Sequence, residues 1–295
     1  MTSDSDLLAR RFEGHRPHLR AVAYRMLGSL SEADDAVQEA WLRLSRSDAD
    51  AVENLGGWLT TVVGRVCLDM LRSRTARREE PVDEPARLPD PVISSADGVD
   101  PEQQALLADS VGLALLVVLE ALAPAERLAF VLHDMFAVPF DEIAPVVGRT
   151  PAAARQLASR ARRRVQGAAP AAETDPVRQR TVVDAFLAAA RGGDFEALMA
   201  VLDPDVVLRA DGGALRPFSV VRGAEAVASG AMTFSRIAGA ARPALVNGAA
   251  GVVATVDGEP FSVLAFTIAR GRVVELDILT DPERLARLDL TVLDR

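Results

Sequence analysis

The feature that most constrains this chain is a change of hydrophobic period near residue 175. Upstream, apolar side chains recur every three or four positions: Leu7, Phe12, Leu19, Val22, Ala23, Met26 and Leu27, then Ala36, Val37, Ala40, Trp41 and Leu44. That spacing predicts helices, with Ser31 as the N-cap of the second and a third helix over Leu55–Arg74 whose terminal arginines suit the negative end of a helix dipole. Downstream, two helices (Val177–Arg191 and Phe195–Leu202) precede short alternating segments at Val206–Ala210, Ala244–Asn247, Gly251–Val256, Phe261–Ala269 and Arg272–Leu279. Asp257-Gly258 and Arg270-Gly271-Arg272 supply turns between them. The fold expected is multidomain: all-α modules first, then an α+β domain with a curved antiparallel sheet. No internal repeat is apparent.

Glu79–Pro101 interrupts the helices with five prolines, and Glu79–Asp109 holds nine acids against one arginine. Such a composition cannot build a core and reads as an extended tether. The expected division is therefore residues 1–78, a linker over 79–101, a second helical module over 102–167, a short Ala/Pro linker over 168–174, and the α+β domain over 175–295.

Composition removes several classes of function. The 295 residues are 49% apolar and 25% charged, ordinary for globular domains. No run approaches the roughly 18 apolar residues of a membrane span, and MTSDSDLLARR lacks the basic start and apolar core of a secretory signal. One cysteine, Cys67, excludes an internal disulfide and a cysteine-based zinc site, which suits the cytoplasm. Every basic residue is arginine, and the net charge of −9 argues against unaided coating of nucleic acid. Charge is instead sorted into blocks: Arg149–Val165 holds six arginines and no acid.

That basic block ends the most informative stretch, PFDEIAPVVGRTPAAARQLASRARRRV. Phe140–Val147 forms a short amphipathic helix, Gly148 stops it in a left-handed conformation, Thr150 caps the next helix, and Pro151 takes its first position. Helix, glycine turn and capped helix make a helix-turn-helix. Ala153, Leu157 and Ala161 share one face of the second helix, leaving Arg149, Thr150, Arg155, Gln156, Ser159, Arg160 and Arg163 for phosphates and base edges. Elsewhere, Asp34, Asp35, Gln38 and Glu39 fall on adjacent exposed turns of the second helix, and Trp58 to Arg78 combines an apolar face with Arg65, Arg72, Arg74, Arg77 and Arg78.

These residues carry a family resemblance. AYRMLGSLSEADDAVQEAWLRL with GGWLTTVVGRVCLDMLRSR, within residues 12–78, resembles region 2 of an extracytoplasmic-function sigma factor; residues 119–165 resemble region 4. Residues 175–290 resemble the SnoaL-like cone carried at the C-terminus by one subgroup. The resemblance implies core RNA polymerase and promoter DNA as partners. It assigns Asp34, Asp35, Gln38 and Glu39 to the polymerase, Trp58, Arg65, Arg72 and Arg74 to promoter melting, where unstacked bases and exposed backbone must be held, and the helix-turn-helix residues to an upstream element. Leu88-Pro89-Asp90-Pro91, Asp211-Gly212-Gly213 and Asp281-Pro282-Glu283-Arg284 resemble the subgroup's linker, loop and terminal motifs, implying control in cis by contact among them.

A rival reading makes the cone a ligand sensor or enzyme with the helices as its DNA-binding output, and a third a repressor that never touches polymerase. All three histidines (His15, His18, His133) lie outside the cone, and Asp211, Asp257 and Asp277 form no selected acid–base pair. The expectation is therefore no enzyme, no catalytic or metal residue and no cofactor. A small molecule in the cone remains open, and the free chain is expected to be a monomer.

Overall fold

The computed structural model describes residues 2–47, 53–77, 87–95, 112–168, 172–214, 216–235 and 240–293. Two compact units emerge: Met1–Glu84, Gln104–Asp109 and Val118–Ala168 form the first, and Pro85–Gln103, Ser110–Val117 and Ala169–Arg295 the second.

The first unit begins with α1 (Thr2–Leu27), α2 (Leu30–Leu44) and α3 (Leu55–Arg77), which pack on one another. Phe12, Leu19, Val22, Met26, Val37, Leu44, Leu59 and Leu68 are buried, so the three-to-four periodicity marks the shared core. The start of α2 differs from expectation: Ser29, in extended conformation, is the cap residue, and Ser31 lies inside the helix with its hydroxyl 3.2 Å from that of Ser29. Gly28, with φ of 67°, follows the end of α1, so Gly28 and Ser29 alone separate the two helices.

After β1 (Ile93–Ser94), which belongs to the second unit, comes α4 (Leu113–Glu120), whose chain crosses the unit boundary. Then α5 (Pro124–Phe130), a π-helical turn (Val131–Met135), α6 (Phe140–Val147) and α7 (Pro151–Ala168) complete the first unit. Helices α5, α6 and α7 pack together, and α3 packs on α5 and α6. Gly64 permits that approach, because a Cβ there would stand 3.1 Å from Leu132 Cδ1 and 3.3 Å from Leu128 Cδ1. Buried Arg127 of α5 reaches α1 and the end of α4, donating at 2.9 Å to Met26 O and to Glu120 Oε1.

In the second unit α8 (Pro176–Gly192) and α9 (Phe195–Val201) lead into β2 (Leu202–Gly212), β3 (Arg216–Arg222), α10 (Ala224–Ser235), β4 (Ala240–Val246), β5 (Ala249–Val256), β6 (Glu259–Ala269), β7 (Arg272–Leu279) and α11 (Pro282–Leu285). The seven strands run in the order β1-β4-β5-β6-β7-β2-β3. The sheet is mixed rather than wholly antiparallel, since β2 pairs parallel with β7 after α10 carries the chain across to the other side. Helices α8, α9 and α10 cover one face: Val183, Phe186, Leu198 and Val227 meet Val252, Leu264, Phe266 and Leu276 in one core.

Composition predicts a tether over 79–101, yet the described part of it, residues 87–95, is largely packed. Leu88 through Ser94 are buried, and Ile93 and Ser94 pair antiparallel with Val246 and Leu245. Residues 79–86 and 96–101 lie outside the described residues. Among the described residues no helix is long and apolar enough to cross a membrane.

Candidate functional site

The helix-turn-helix is built as its sequence dictates. Gly148 (φ 67°, ψ 42°) closes α6, and Ala153 N–H donates to Thr150 Oγ1 at 3.3 Å, capping α7. The buried stripe of α7 is Ala154, Ala158 and Ala161, with Ala153 and Leu157 beside it half-buried, so the anchored face is turned by one residue from the expected one. Small residues set this centre because α7 lies close against α5 and α6.

Arg155, Gln156, Ser159, Arg160 and Arg163 are exposed on the remaining surface, with Arg149 and Thr150 exposed at its start. The arginines are not equivalent. Arg160 Nε lies 3.0 Å from Glu126 Oε1, Arg162 Nε donates to Asp134 Oδ1 at 2.8 Å, and Arg164 reaches both Glu126 at 3.6 Å and Ala121 O at 3.1 Å. Arg155 instead lies 5.3 Å from the Phe140 ring centroid, and that ring stacks on His133 at 3.8 Å. Among the described residues Arg149, Arg155 and Arg163 have no carboxylate partner. Sequence reasoning missed Glu126 and Asp134, whose pairing with α7 spans a fold that no local pattern announces.

On α2, Asp34, Asp35 and Gln38 are exposed and Glu39 is half-buried, on one surface of the helix. Arg20 holds Asp34 at 2.6 Å, and Arg43 holds Glu39 at 2.9 Å. On α3, Trp58 is half-buried, Arg72 is exposed and 3.9 Å from Asp69, and exposed Arg65 donates to Pro145 O of α6 at 3.4 Å. Arg74 is drawn inward, ion-paired with Glu32 and 3.4 Å from Leu27 O. The side chain of Arg77 and all of Arg78 lie outside the described residues.

The three C-terminal and linker motifs meet at one buried guanidinium, all within the second unit. Arg284 donates from Nε to Asp90 Oδ1 at 2.7 Å, from Nη1 to Asp211 Oδ2 at 2.8 Å, and from Nη2 to Leu88 O at 2.7 Å. Asp211 Oδ2 also accepts from Leu88 N–H at 2.9 Å, and its Oδ1 accepts from Gly213 N–H at 3.1 Å. Asp281 caps the short α11 by accepting from Glu283 N–H at 3.0 Å, with Pro282 in its first turn, which presents Arg284 inward. Gly212 carries the bulged end of β2, and Pro89 and Pro91 are buried beside Asp90. Asn247, whose N–H donates to Val92 O at 2.8 Å and whose Oδ1 accepts from Val92 N–H at 3.1 Å, is a further anchor. The Asn-Gly turn signal at 247–248 was present in the sequence, but its distant partner was not.

A second polar cluster, Arg209 with Glu275 at 2.8 Å and Asp277 at 2.9 Å, lies on the sheet. Burial pushes the Asp277 carboxyl up to about 6 despite the neighbouring guanidinium. Among the described residues no three His, Cys, Asp or Glu side chains are grouped to hold a metal ion.

A helical unit with a capped helix-turn-helix, in a chain that also carries this α+β unit, defines a DNA-binding protein. Sequence profiles agree: sigma-70 region 2 matches residues 11–77 and sigma-70 region 4 matches residues 112–165. The chain is 38% identical over 285 residues to the probable ECF RNA polymerase sigma factor SigI of Mycobacterium tuberculosis, covering 96% of each. It is 40% identical over 289 residues to that organism's ECF RNA polymerase sigma factor SigJ, covering 92% of this chain and 91% of the relative. The crystal structure of SigJ superposes with a TM-score of 0.75 at 37% identity, over 96% of this chain and 99% of that one. The protein belongs to the extracytoplasmic-function sigma factor family, and its function is promoter-specific initiation by core RNA polymerase.

Proposed function

We propose a division of labour among named surfaces. Helix α7 reads an upstream promoter element: Arg149, Arg155 and Arg163 hold phosphates or base edges, Gln156 and Ser159 read edges, and Thr150 offers its hydroxyl at the helix start. The observation that carries this reading is the sorting of the arginines, with these three free of carboxylates while Arg160 begins in a surface pair that DNA must displace. Helix α3 holds separated strands through Trp58, Arg65, Arg72 and Arg74, and α2 presents Asp34, Asp35, Gln38 and Glu39 to polymerase. The working modules in this reading are 1–78, 102–167 and 175–295, in a chain that works in the cytoplasm and is a monomer when free.

The second unit regulates initiation in cis. Its support is the Arg284 node, which fastens Leu88–Pro91, the stretch following region 2, to the Asp211–Gly213 loop and the Asp281–Arg284 tail. The unit is a binding module, not an enzyme, and takes a small molecule: Asp277 and Arg209 alternate with Leu276, Ile278 and Leu208 along their strands and so face away from the apolar cavity that those residues line.

Run-off transcription with purified core polymerase tests the scheme. Arg155→Ala is expected to weaken promoter recognition while leaving holoenzyme assembly intact, and Asp35→Arg to impair assembly. Truncation after Leu279 removes the node and is expected to raise transcription above the full chain. Unchanged output from both Arg155→Ala and the truncation would refute the promoter and cis-regulatory assignments respectively.

A further inference from the structure

A cavity of about 210 Å³ lies in the second unit between helices α8 and α10 and the helix-covered face of the sheet. Its walls include Phe186, Leu264 and Leu276, and the room comes from small residues: Ala190, Gly230, Ala231 and Ala254 stand where larger side chains would close the core. Interiors of folded proteins pack without such voids, and one that persists costs stability until something fills it. Nearly all the lining is hydrocarbon, so the body of an occupant needs no hydrogen-bonding group there. An apolar cavity of about 150 Å³ accommodates benzene, so this one takes a body of about eight carbons.

Among the described residues one ionisable side chain lines it. Arg191, in the last turn of α8, is exposed and has no partner among the described residues. An unpaired guanidinium at the edge of an otherwise apolar chamber selects a planar anion that it can hold through two hydrogen bonds.

We propose that this cavity is the binding site for a small amphipathic carboxylic acid, with an alkyl or phenylalkyl body of about eight carbons inside and its carboxylate on Arg191. The assignment rests on the reading that the second unit takes a small molecule, and it gives that molecule a chemistry. Binding is read without polymerase, so it fails or stands separately from cis regulation, which the Leu279 truncation reads.

The test is calorimetric titration and thermal melting of the full chain with octanoate and 3-phenylpropanoate at about 1 mM, with propanoate and octan-1-ol as comparisons. Ligand binding to the folded state raises the melting temperature. Both acids are expected to bind and raise the melt, and propanoate to do neither. Ala254→Leu and, independently, Ala231→Met fill the chamber and are expected to abolish octanoate binding, each variant first shown folded by circular dichroism. Arg191→Gln is expected to weaken octanoate about two- to fivefold, the range of an exposed ion pair, with octan-1-ol unchanged. No octanoate binding to the full chain, or binding undiminished in a folded filling variant, overturns the site. Octan-1-ol binding as tightly as octanoate, with Arg191→Gln altering neither, overturns the carboxylate.

Discussion

Replacing Arg284 with methionine removes the one cation that Asp90 and Asp211 share while keeping most of the side-chain volume. Asp211 would retain the N–H groups of Leu88 and Gly213, and Asp90 would retain Arg87, 3.3 Å away on the outer side. Removing one partner from a buried ionic cluster costs about 3–5 kcal/mol, because the remaining carboxylates stay buried without that cation. The loss falls on local opening of residues 88–94, held otherwise by the Ile93 and Ser94 ladder and the two Asn247–Val92 hydrogen bonds. At about 1.4 kcal/mol per factor of ten, Arg284→Met should speed hydrogen exchange at the Leu88 amide, which donates to Asp211, and at the Asn247 amide by roughly a hundred- to several thousandfold. Amides of β6 should stay unaffected. Adding Asp211→Asn to the Arg284→Met background removes one stranded charge and should recover part of the loss. Exchange at Leu88 and Asn247 within a factor of about ten of the native chain would refute the claim that this guanidinium holds the segment down.

Three further outcomes follow from described geometry. Arg163→Ala in the holoenzyme should reduce the salt dependence of promoter binding by a log–log slope of about one, while Arg160→Ala should change it less because Glu126 already neutralises that residue; equal slope changes would show that the pairing is irrelevant. Burial, followed by His15 and Arg25, lowers the pKa of His18 below 6.5, so the unfolded chain binds more protons and stability falls as pH drops below that value; melting at pH near 7.5 and near 5.8 should show a smaller acid-induced loss in His18→Gln, and parallel losses would dismiss the effect. Gly148→Ala places a Cβ at φ of 67° and should cost about 1–2 kcal/mol of the first unit's stability, measured by urea denaturation; a cost near zero would mean that the turn relaxes.

Local chemistry was legible wherever the determinants were adjacent in sequence. Gly148, Thr150 and Pro151 mark the turn and cap of the helix-turn-helix; the strand at Arg272–Leu279 has the expected bounds, and the one expected at Phe261–Ala269 ends as expected but begins two residues earlier, at Glu259, directly after the Asp257-Gly258 turn. Strand β3, Arg-Pro-Phe-Ser-Val-Val-Arg at the sheet edge, escaped notice: its mostly exposed positions never build the apolar alternation that a half-buried strand shows. Residues 88–94 escaped for a different reason. Their burial depends on Arg284, 194 positions beyond Asp90, and prolines with an acid look like a tether until that partner is in place. The motifs of the regulatory node were visible as a resemblance; their convergence on one guanidinium was not. Nor was the pairing that divides the arginines of α7, since Glu126 and Asp134 approach only through tertiary packing.

The short β1 also settles what the chain risks whenever it lets go. Sitting outermost, it pairs with Leu245 and Val246 at the end of β4. A sheet edge stripped of its neighbour is a template for any extended segment, including the same residues of another molecule. Release of this strand therefore opens a vacancy that an identical copy fits as well as the original occupant, and exchange between molecules grows with concentration.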